Sequence, residues 1–397
     1  MSVTFLTDKD GVAVTCTSSG NLIAVNDAAT MPLQGLHIYG KTTQNGTPSP
    51  DVPVELVNAG EDGEIGVAVY GKNIADIAYG AQVPSTGTGY DVSVAGWASD
   101  YIYIGNNIVT LTRDDPTAAT EMYLFLYDED KNHIGNIGSA EAGDALCSNR
   151  ISGYENARYC RVRMSEGSGS SRRLQLEIGS TATAYEPCTA QSLTLSTPNG
   201  LPGIPVASGG NYTDENGQRW FCDEVDLKRG VRVQRLGKMV YDGSDDETWI
   251  ITGTRYRIAV PGMLEHTDAT VAPPVMCDKY ITVNPNTNYA GTISISAQQW
   301  DGAMVLLVKN DDLADVSAFK ASLAEKPMEV LAALATPVET PLAAEEIAAY
   351  TALRTNKPNT TVFNDSGAGM QLDYSADTKT YIDNKFTELA AAMVSNT

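Results

Sequence analysis

Short apolar or aromatic runs recur along most of this chain, and glycine, serine, asparagine or aspartate separates each run from the next. Runs this short cannot form the long helices of a bundle, but they suit strands that end in tight turns. Between residues 71 and 190 their spacing is typical of a β-sandwich or jelly roll. The strands expected in 71–190 are 101–104, 108–111, 122–127, 159–164 and 174–178.

A second β-sandwich domain with one helix is predicted over residues 191–342. The letters DENG at 214–217, between two apolar runs, are a strong hairpin signal. The helix is expected over 315–324, with Asp315 or Ser317 as its N-cap. The strands expected in this domain are 219–225, 230–236, 248–252, 256–260, 280–283, 291–296, 304–309 and 330–334.

Residues 1–70 are predicted to form an N-terminal β anchor region. Weak alternation over 1–30 indicates a pair of strands, and further apolar strands are expected around Leu36 and Ile38 and over 52–57. The connector 45–53 contains Asn-Gly and three prolines, which favours a stiff extended turn over a helix. The sequence therefore predicts a mainly β protein with tandem β-sandwich or jelly-roll domains and a short C-terminal helix.

Residues 343–397 are predicted to form a helical oligomerisation segment, with one helix at 343–354 and another at 378–394. An apolar stripe along the second helix repeats with steps of four, three and four residues, which suits a coiled-coil seam. The stripe consists of Ile382, Phe386, Leu389 and Met393. An isolated helix of this length is marginal in water and needs a partner. The sequence leaves open whether that partner is the helix's own domain or further copies of the chain.

The charge and cysteine content narrow the class of protein. The chain has 49 acidic and 27 basic residues, a formal net charge of −22, which argues against nucleic acid as a partner. The start, MSVTFLTDKDGVAV, lacks a basic region followed by an apolar one, and no apolar run is long enough for a bilayer, so we expect neither export signal nor membrane insertion. The six cysteines lack metal-site spacing, which favours reduced thiols, although Cys147 and Cys160 could meet across strands.

No pattern of residues indicates catalysis, so we predict no catalytic residue, no metal site and no cofactor. The three histidines are His37, His133 and His266, and none lies beside a nucleophile motif. Two carboxylates on facing strands would suffice for a glycosidase, and the densest acidic clusters are 245–247 and 311–312. Both clusters have the character of solvated turns.

One acidic segment has the beginning of a calcium loop. Asp128, Asp130 and Asn132 show the first three ligand spacings, but the sixth position is His133 and the twelfth is Ser139, where a calcium loop needs glycine and glutamate. A polar hairpin turn between two strands is therefore the favoured interpretation.

With no catalytic pattern in the sequence, binding of a ligand is the function that the residues favour. Tyrosine outnumbers phenylalanine by 19 to 6, and tyrosine tolerates a wet surface. The candidate glycan-binding residues are Tyr90, Trp97, Tyr101 and Tyr103, since sugars dock by stacking on exposed aromatic rings beside hydrogen-bonding groups. The same rings could instead belong to the core of the sandwich, and the sequence leaves both interpretations open.

Several longer phrases resemble one group of proteins. GLHIYGKTTQNGTPSPDVPVELVNAG followed by VYGKN is similar to the opening of tail-tip, baseplate and receptor-binding (tail fibre) proteins from phages and prophages of Gram-positive bacteria. LQLEIGSTATAYEP resembles the closing strand of the jelly-roll module, related to carbohydrate-binding modules, that often follows in those proteins. The resemblance covers most of the chain and includes VSAFKASLAEKP, LATPVETPL and the C-terminal region, whereas 240–290 do not match closely.

The resemblance implies a non-enzymatic virion protein of a tailed phage, assembled in the bacterial host cytoplasm and located at the tail tip or fibre. Its implied task is to attach the particle to a polysaccharide of the host cell surface, with other tail and baseplate proteins as partners. Proteins of this kind are usually homotrimers, which would bring three tail helices together on one axis. The alternatives are a purely structural baseplate scaffold and, less favoured, a polysaccharide depolymerase.

Overall fold

The computed structural model describes residues 2–7, 13–19, 22–26, 33, 35–79, 83–84, 87, 96–113, 121–141, 144–165, 173–264, 274–283, 293–300, 303–356 and 359–372, with the backbone alone for 2–26. The described chain is mainly β, as predicted, and is built from several antiparallel sheets with two short α-helices near its C-terminal end.

The strands follow in chain order. The first eight are β1 Ser2–Thr7, β2 Ala13–Ser19, β3 Leu22–Asn26, β4 Leu36–Tyr39, β5 Thr42–Thr43, β6 Val57–Asn58, β7 Glu64–Tyr70 and β8 Ile77–Tyr79. The next eight are β9 Gly96–Ser99, β10 Ile102–Tyr103, β11 Val109–Arg113, β12 Met122–Tyr127, β13 His133–Ser139, β14 Ala145–Cys147, β15 Tyr159–Ser165 and β16 Leu174–Ile178.

The remaining strands lie after residue 189. They are β17 Ala190–Ser196, β18 Gly203–Val206, β19 Tyr212–Thr213, β20 Arg219–Cys222, β21 Glu224–Asp226, β22 Val231–Tyr241, β23 Ile250–Thr252, β24 Arg255–Ala259, β25 Val275–Cys277, β26 Ile281–Thr282, β27 Ser294–Trp300, β28 Ala303–Lys309, β29 Met328–Pro341, β30 Asn359–Asn364 and β31 Gly369–Leu372. The α-helices are α1 Val316–Glu325 and α2 Ala344–Ala352, and two single-turn 3₁₀-helices lie at Ser148–Arg150 and Tyr154–Asn156.

Two of the sandwiches correspond to continuous parts of the chain. In the first sandwich, the sheet β13-β12-β15-β9-β8 packs against β14-β11-β16 around a core that includes Leu124, Val162 and Leu176. In the second sandwich, the sheet β23-β24-β28-β27-β26 and helix α1 pack against β25, β29 and the end of β22. The core of the second sandwich includes Leu306 and Phe319.

A third sandwich joins distant parts of the chain. Its first sheet has the order β1-β2-β3-β30-β7-β17, and its second is the β22-β21-β4-β31 end of a sheet that continues into the second sandwich. The core between them contains Leu36, Val67, Leu195 and Met370. Strands from the predicted ranges 1–70, 191–342 and 343–397 thus hydrogen-bond to one another, while the boundaries of those ranges stay a prediction.

Several strand predictions agree with the structure. The predicted strands 122–127 and 174–178 are β12 and β16 with the expected limits. Helix α1 also forms as predicted, because the Asp315 carboxylate accepts the N–H of Ala318 and caps its first turn. The prediction of a hairpin at 214–217 is confirmed, since β19 and β20 pair across that turn.

Other strand predictions are wrong. The first 30 residues hold three strands where a pair was expected. The strand predicted over 52–57 reduces to β6 at its C-terminal end, since Pro53 interrupts the segment and Val52 is 66 % exposed. The strand predicted over 219–225 divides at Asp223, whose buried carboxylate accepts the N–H groups of Arg235 and Leu236. Burial raises the pKa of Asp223 to about 7.

The helices and thiols complete the comparison with the sequence. Among the helices that the structure describes, none has the length and apolar character needed to cross a bilayer. The cysteines whose side chains are described are unpaired thiols, as predicted, including Cys147 and Cys160. The apolar stripe Ile382, Phe386, Leu389 and Met393 lies outside the described residues, so its role in oligomerisation stays a prediction.

Candidate functional site

One face of the first sandwich is built by alternation along two neighbouring strands. In β12 and β15 every second residue is aliphatic or cysteine and points into the core, paired as Met122 with Met164, Leu124 with Val162 and Leu126 with Cys160. The residues between them are aromatic or basic and share the other face, paired as Tyr123 with Arg163, Phe125 with Arg161 and Tyr127 with Tyr159. Successive side chains of a strand alternate between faces, so these two strands form the centre of one surface.

The neighbouring strands extend this surface. Tyr103 of β10 lies opposite Tyr159, and His133 of β13 lies opposite Tyr127. Tyr101, just before β10, contacts the rings of Tyr127 and Tyr159. We call this surface the aromatic face, and it consists of Tyr101, Tyr103, Tyr123, Phe125, Tyr127, His133, Tyr159, Arg161 and Arg163.

The four tyrosine rings at positions 101, 103, 127 and 159 contact one another edge to face. Tyr101 and Tyr127 have centroids 4.9 Å apart at an interplanar angle of 75°, and Tyr103 and Tyr159 lie 5.3 Å apart at 74°. This arrangement is favoured by the ring quadrupoles. Phe125 and Tyr127 are fully buried, whereas Tyr101, Tyr103 and Tyr159 are half-buried and form the part of the face that is partly open.

Cations lie over these rings. The Arg161 guanidinium is 5.0 Å from the centroid of Tyr101, and the Lys131 ammonium lies 5.2 Å from Tyr101 and 5.3 Å from Tyr159. Arg161 is fully buried, but Lys131 is exposed on the turn between β12 and β13. The Lys131 side chain can therefore move at little cost, while Arg161 is held within the face.

Val83 and Gly87 cover part of the face. The Tyr127 hydroxyl donates to the Gly87 carbonyl at 2.6 Å, and the Arg163 guanidinium donates to the Val83 carbonyl at 2.9 Å. Gly87 has φ +76°, and a Cβ there would lie 2.4 Å from the His133 ring. The chain can approach this closely only because residue 87 is glycine.

Burial and nearby carboxylates act on the phenols. Burial raises the pKa of Tyr103, and the negative charge of Glu215 adds to the effect. Burial also raises the pKa of Tyr159, with smaller contributions from Glu129 and Asp365. These hydroxyls therefore stay protonated at neutral pH and can donate hydrogen bonds, and carboxylates able to accept them lie nearby.

The structure brings together only part of the predicted glycan-binding set. Tyr101 and Tyr103 lie together on the aromatic face. Trp97 of β9 pairs with Met164 on the opposite side of the same sheet, where its half-buried ring packs against the core. Tyr90 lies outside the described residues. The alternation in MYLFLY and YCRVRMS was the signal that could have identified Tyr123, Tyr127 and Tyr159 from the sequence.

The segment that resembles a calcium loop forms a hairpin turn, as favoured from its sequence. Strands β12 and β13 pair across residues 128–132, and the Asp128 carboxylate accepts the N–H of Asn132 at 2.8 Å. Lys131 adopts φ 61°, which lets the chain reverse. The carboxylate of Asp128 thus stabilises the turn itself.

The acidic clusters weighed as catalytic candidates also lie in turns. The Glu247 carboxylate accepts the N–H groups of Asp242 and Gly243, and Asp311 pairs with Lys309 at 2.8 Å. Of the histidines, His133 packs in the aromatic face, His37 lies in β4 and His266 is outside the described residues.

Comparison with protein-family models, with curated proteins and with solved structures gives no match for this chain. Its function therefore has to be argued from its own residues and from the geometry of the aromatic face.

Proposed function

We propose that this chain is a non-enzymatic virion component of a tailed phage and that its aromatic face attaches the particle to a polysaccharide of the host cell surface. The observation that carries the glycan-binding part is the group of half-buried rings Tyr101, Tyr103 and Tyr159 beside Lys131. The virion location, the tail and baseplate partners and the homotrimer rest on the sequence resemblance of the N-terminal and C-terminal phrases to phage tail proteins.

The chemistry of the aromatic face suits an uncharged or weakly charged sugar chain. Sugar rings present C–H groups to an aromatic ring and hydroxyl groups to polar neighbours. Tyr101 and Tyr159 supply the rings, and the phenol of Tyr103 supplies a hydrogen-bond donor that stays protonated. The net charge of −22 opposes the approach of a polyanion, so a strongly acidic wall polymer is the less favoured ligand.

The test is binding of the full chain to an array of bacterial surface polysaccharides, followed by calorimetry on each positive glycan. Tyr103→Ala and Lys131→Ala alter the open part of the face without touching the core. We expect Tyr103→Ala to weaken binding about tenfold, the upper range for one lost hydrogen bond, and Lys131→Ala to change it less.

Two matched controls keep the result specific to this face. Trp97→Phe changes an aromatic residue of the same sheet on its opposite side, and Trp300→Ala removes a half-buried ring from β27 of the second sandwich. Both controls should retain full binding. A folded chain that binds no glycan would contradict the proposal, as would equal losses in the controls.

A purely structural baseplate scaffold is the second candidate, and one observation favours it. The rings of the aromatic face already contact one another, and Arg161 fills the space beneath Tyr101 as a buried cation. If the chain is a scaffold, Tyr103→Ala will lower the stability of the fold without any change in cell or glycan binding. A depolymerase is the remaining alternative, and release of reducing ends from host polysaccharide over time would identify it.

A further inference from the structure

Three metal-ligating side chains converge on one face of the sheet that contains β4 and β21. His37 lies directly opposite Asp226 in this antiparallel pair, and Glu224 lies two residues from Asp226 on the same face. His37 Nδ1 is 3.5 Å from Glu224 Oε1 and 3.9 Å from Asp226 Oδ1. Within the part of the chain that the structure describes, this is the group in which such donor atoms all lie within 4.8 Å of one another.

The surroundings hold the imidazole in place. The side chains of His37, Glu224 and Asp226 are 13 %, 10 % and 6 % exposed. The ring of Tyr39 stacks on His37 at 6.1 Å and 10°, and Tyr212 stacks on Tyr39 at 4.6 Å. A ligand side chain restricted in this way loses little conformational entropy when it binds an ion.

Each carboxylate turns one oxygen toward His37 and the other toward an arginine. Glu224 Oε2 is 2.7 Å from an Arg235 guanidinium nitrogen, and Asp226 Oδ2 is 3.9 Å from Arg229 Nε. The contact between Arg235 and Glu224 is the kind of outer hydrogen bond that orients a carboxylate ligand in metal sites, whereas Arg229 and Asp226 form an ion pair at 3.9 Å. Glu224 Oε1 and Asp226 Oδ1 thus face His37, and Asp226 Oδ1 also accepts the backbone N–H of Arg229 at 2.9 Å.

The distances suit an ion between the three groups. A charge-assisted hydrogen bond would bring nitrogen and oxygen to about 2.8 Å, whereas two ligands of a tetrahedral zinc ion, each about 2.0–2.1 Å from the metal, lie about 3.4 Å apart. The observed 3.5 Å and 3.9 Å are closer to the second value. We propose that His37, Glu224 and Asp226 bind one divalent transition-metal ion, with Zn²⁺ as the preferred occupant.

The donor set determines which ions can compete. An imidazole nitrogen with two carboxylates suits zinc and its transition-metal neighbours, whereas calcium and magnesium require oxygen ligands alone. Glu224 also lines a cleft of about 860 Å³ between β22 and the loop at 197–202. With three protein ligands, a tetrahedral ion keeps its fourth coordination position for water or a small external ligand.

Binding would cross-link parts of the chain that are far apart in sequence. His37 lies in β4 near the start of the chain, while Glu224 and Asp226 lie in β21 near its middle. An ion held only by the native state raises its stability by mass action. Zinc should therefore stabilise the third sandwich, independently of whether the aromatic face binds a glycan.

The test uses the full chain after metal removal by a chelator and dialysis. Calorimetric titration with ZnCl₂ should show one ion bound per chain, and the melting temperature should rise with zinc. Titration with CoCl₂ should produce the visible absorption of a cobalt ion with nitrogen and oxygen ligands. In His37→Gln we expect at least about tenfold weaker zinc binding and loss of the cobalt spectrum.

His133→Gln is the matched control, because it changes a histidine of the first sandwich and leaves the cluster intact. It should bind zinc like the unmodified chain, and both variants should keep the circular dichroism of the native fold. No saturable zinc binding, or equal binding in His37→Gln, would overturn the proposal. Tighter binding of CaCl₂ than of ZnCl₂ would overturn it too. So would a chain that is stabilised by low pH but not by zinc, because the cluster would then act as an ion-pair network.

Discussion

The first and second sandwiches have central strands of the same construction but different outer faces. In β12 the inward residues are Met122, Leu124 and Leu126, and in β28 they are Met304, Leu306 and Val308. The outward residues of β12 are Tyr123, Phe125 and Tyr127, whereas those of β28 include Val305 and Leu307. Equivalent inward patterns thus build equivalent cores, and the alternate positions are free to acquire a different chemistry.

The largest expected effect tests whether the two cores are independent. Leu124→Ala and Leu306→Ala each remove a fully buried side chain, and each should cost about 2–5 kcal/mol through lost contacts and a cavity. Chemical unfolding of the full chain should show the first variant shifting one transition and the second variant shifting another. If both variants shift a single transition equally, the sandwiches unfold as one unit and the comparison between them fails.

The next effect concerns two glycines that share a backbone conformation but not their surroundings. Gly87 has φ +76° and a Cβ there would meet the ring of His133, while Gly253, between β23 and β24, has φ +63° and no atom within 4 Å of such a Cβ. Gly253→Ala should cost about 1–2 kcal/mol from backbone strain alone. Gly87→Ala should cost about 1–3 kcal/mol more because of overpacking. Equal losses of unfolding free energy would show that the segment at Gly87 does not press on the aromatic face.

A smaller effect compares buried hydroxyls. Tyr127 donates to the Gly87 carbonyl at 2.6 Å on the outside of the first sandwich, and Tyr256 donates to the Leu313 carbonyl at 2.7 Å in the second. Each Tyr→Phe change removes one hydrogen bond and should cost about 1 kcal/mol. Thermal unfolding of both variants checks this. If Tyr127→Phe has the same melting temperature as the unmodified chain, water replaces the lost donor at the Gly87 carbonyl.

The smallest effect is a difference in pH dependence. Burial lowers the pKa of His133 in the first sandwich, while burial raises the pKa of Asp278 beside β25 in the second. The contribution of His133 to folding stability is complete above pH 6.5. It is lost as the pH falls through the lower pKa that His133 has in the folded state. The contribution of Asp278 to folding stability is complete below pH 3.8. It is lost as the pH rises through the higher pKa that Asp278 has in the folded state.

Two neutral substitutions measure these slopes. His133→Gln should gain stability relative to the unmodified chain as the pH falls below 6.5. Asp278→Asn should gain stability as the pH rises above 3.8, and it keeps an oxygen that can accept the N–H of Glu329. Melting temperatures between pH 3.5 and pH 8 give both slopes, and slopes of the same sign in the two variants would contradict this prediction.

The predicted glycan-binding set shows where sequence reasoning reached its limit. Trp97, Tyr101 and Tyr103 are all odd-numbered, so a single continuous strand would place them on one face. The chain instead breaks between β9 and β10, and Trp97 points to the core while Tyr103 points outward. A shift of one residue in register moves every following side chain to the other face, and no local signal in the sequence marks this break.

The cluster of His37, Glu224 and Asp226 was not foreseeable from spacing. The sequence neighbours of His37 include no ligand motif, and Glu224 lies in the strand predicted over 219–225 while Asp226 falls just beyond it. The three meet because β4 pairs with β21, strands far apart in the chain. Motifs with metal-ligand spacing are recognisable only when the ligands are local or follow a known pattern.

The sequence by itself determined where most strands lie and which of their residues face a core, since alternation and turn residues act over a few neighbouring positions. Only the tertiary structure decided which strands pair, and with that the aromatic face, the third sandwich and the carboxylate–histidine cluster. The physical reason is that strands pair through backbone N–H and C=O groups, which every residue but proline carries, so the choice of a distant partner depends on packing of the whole chain.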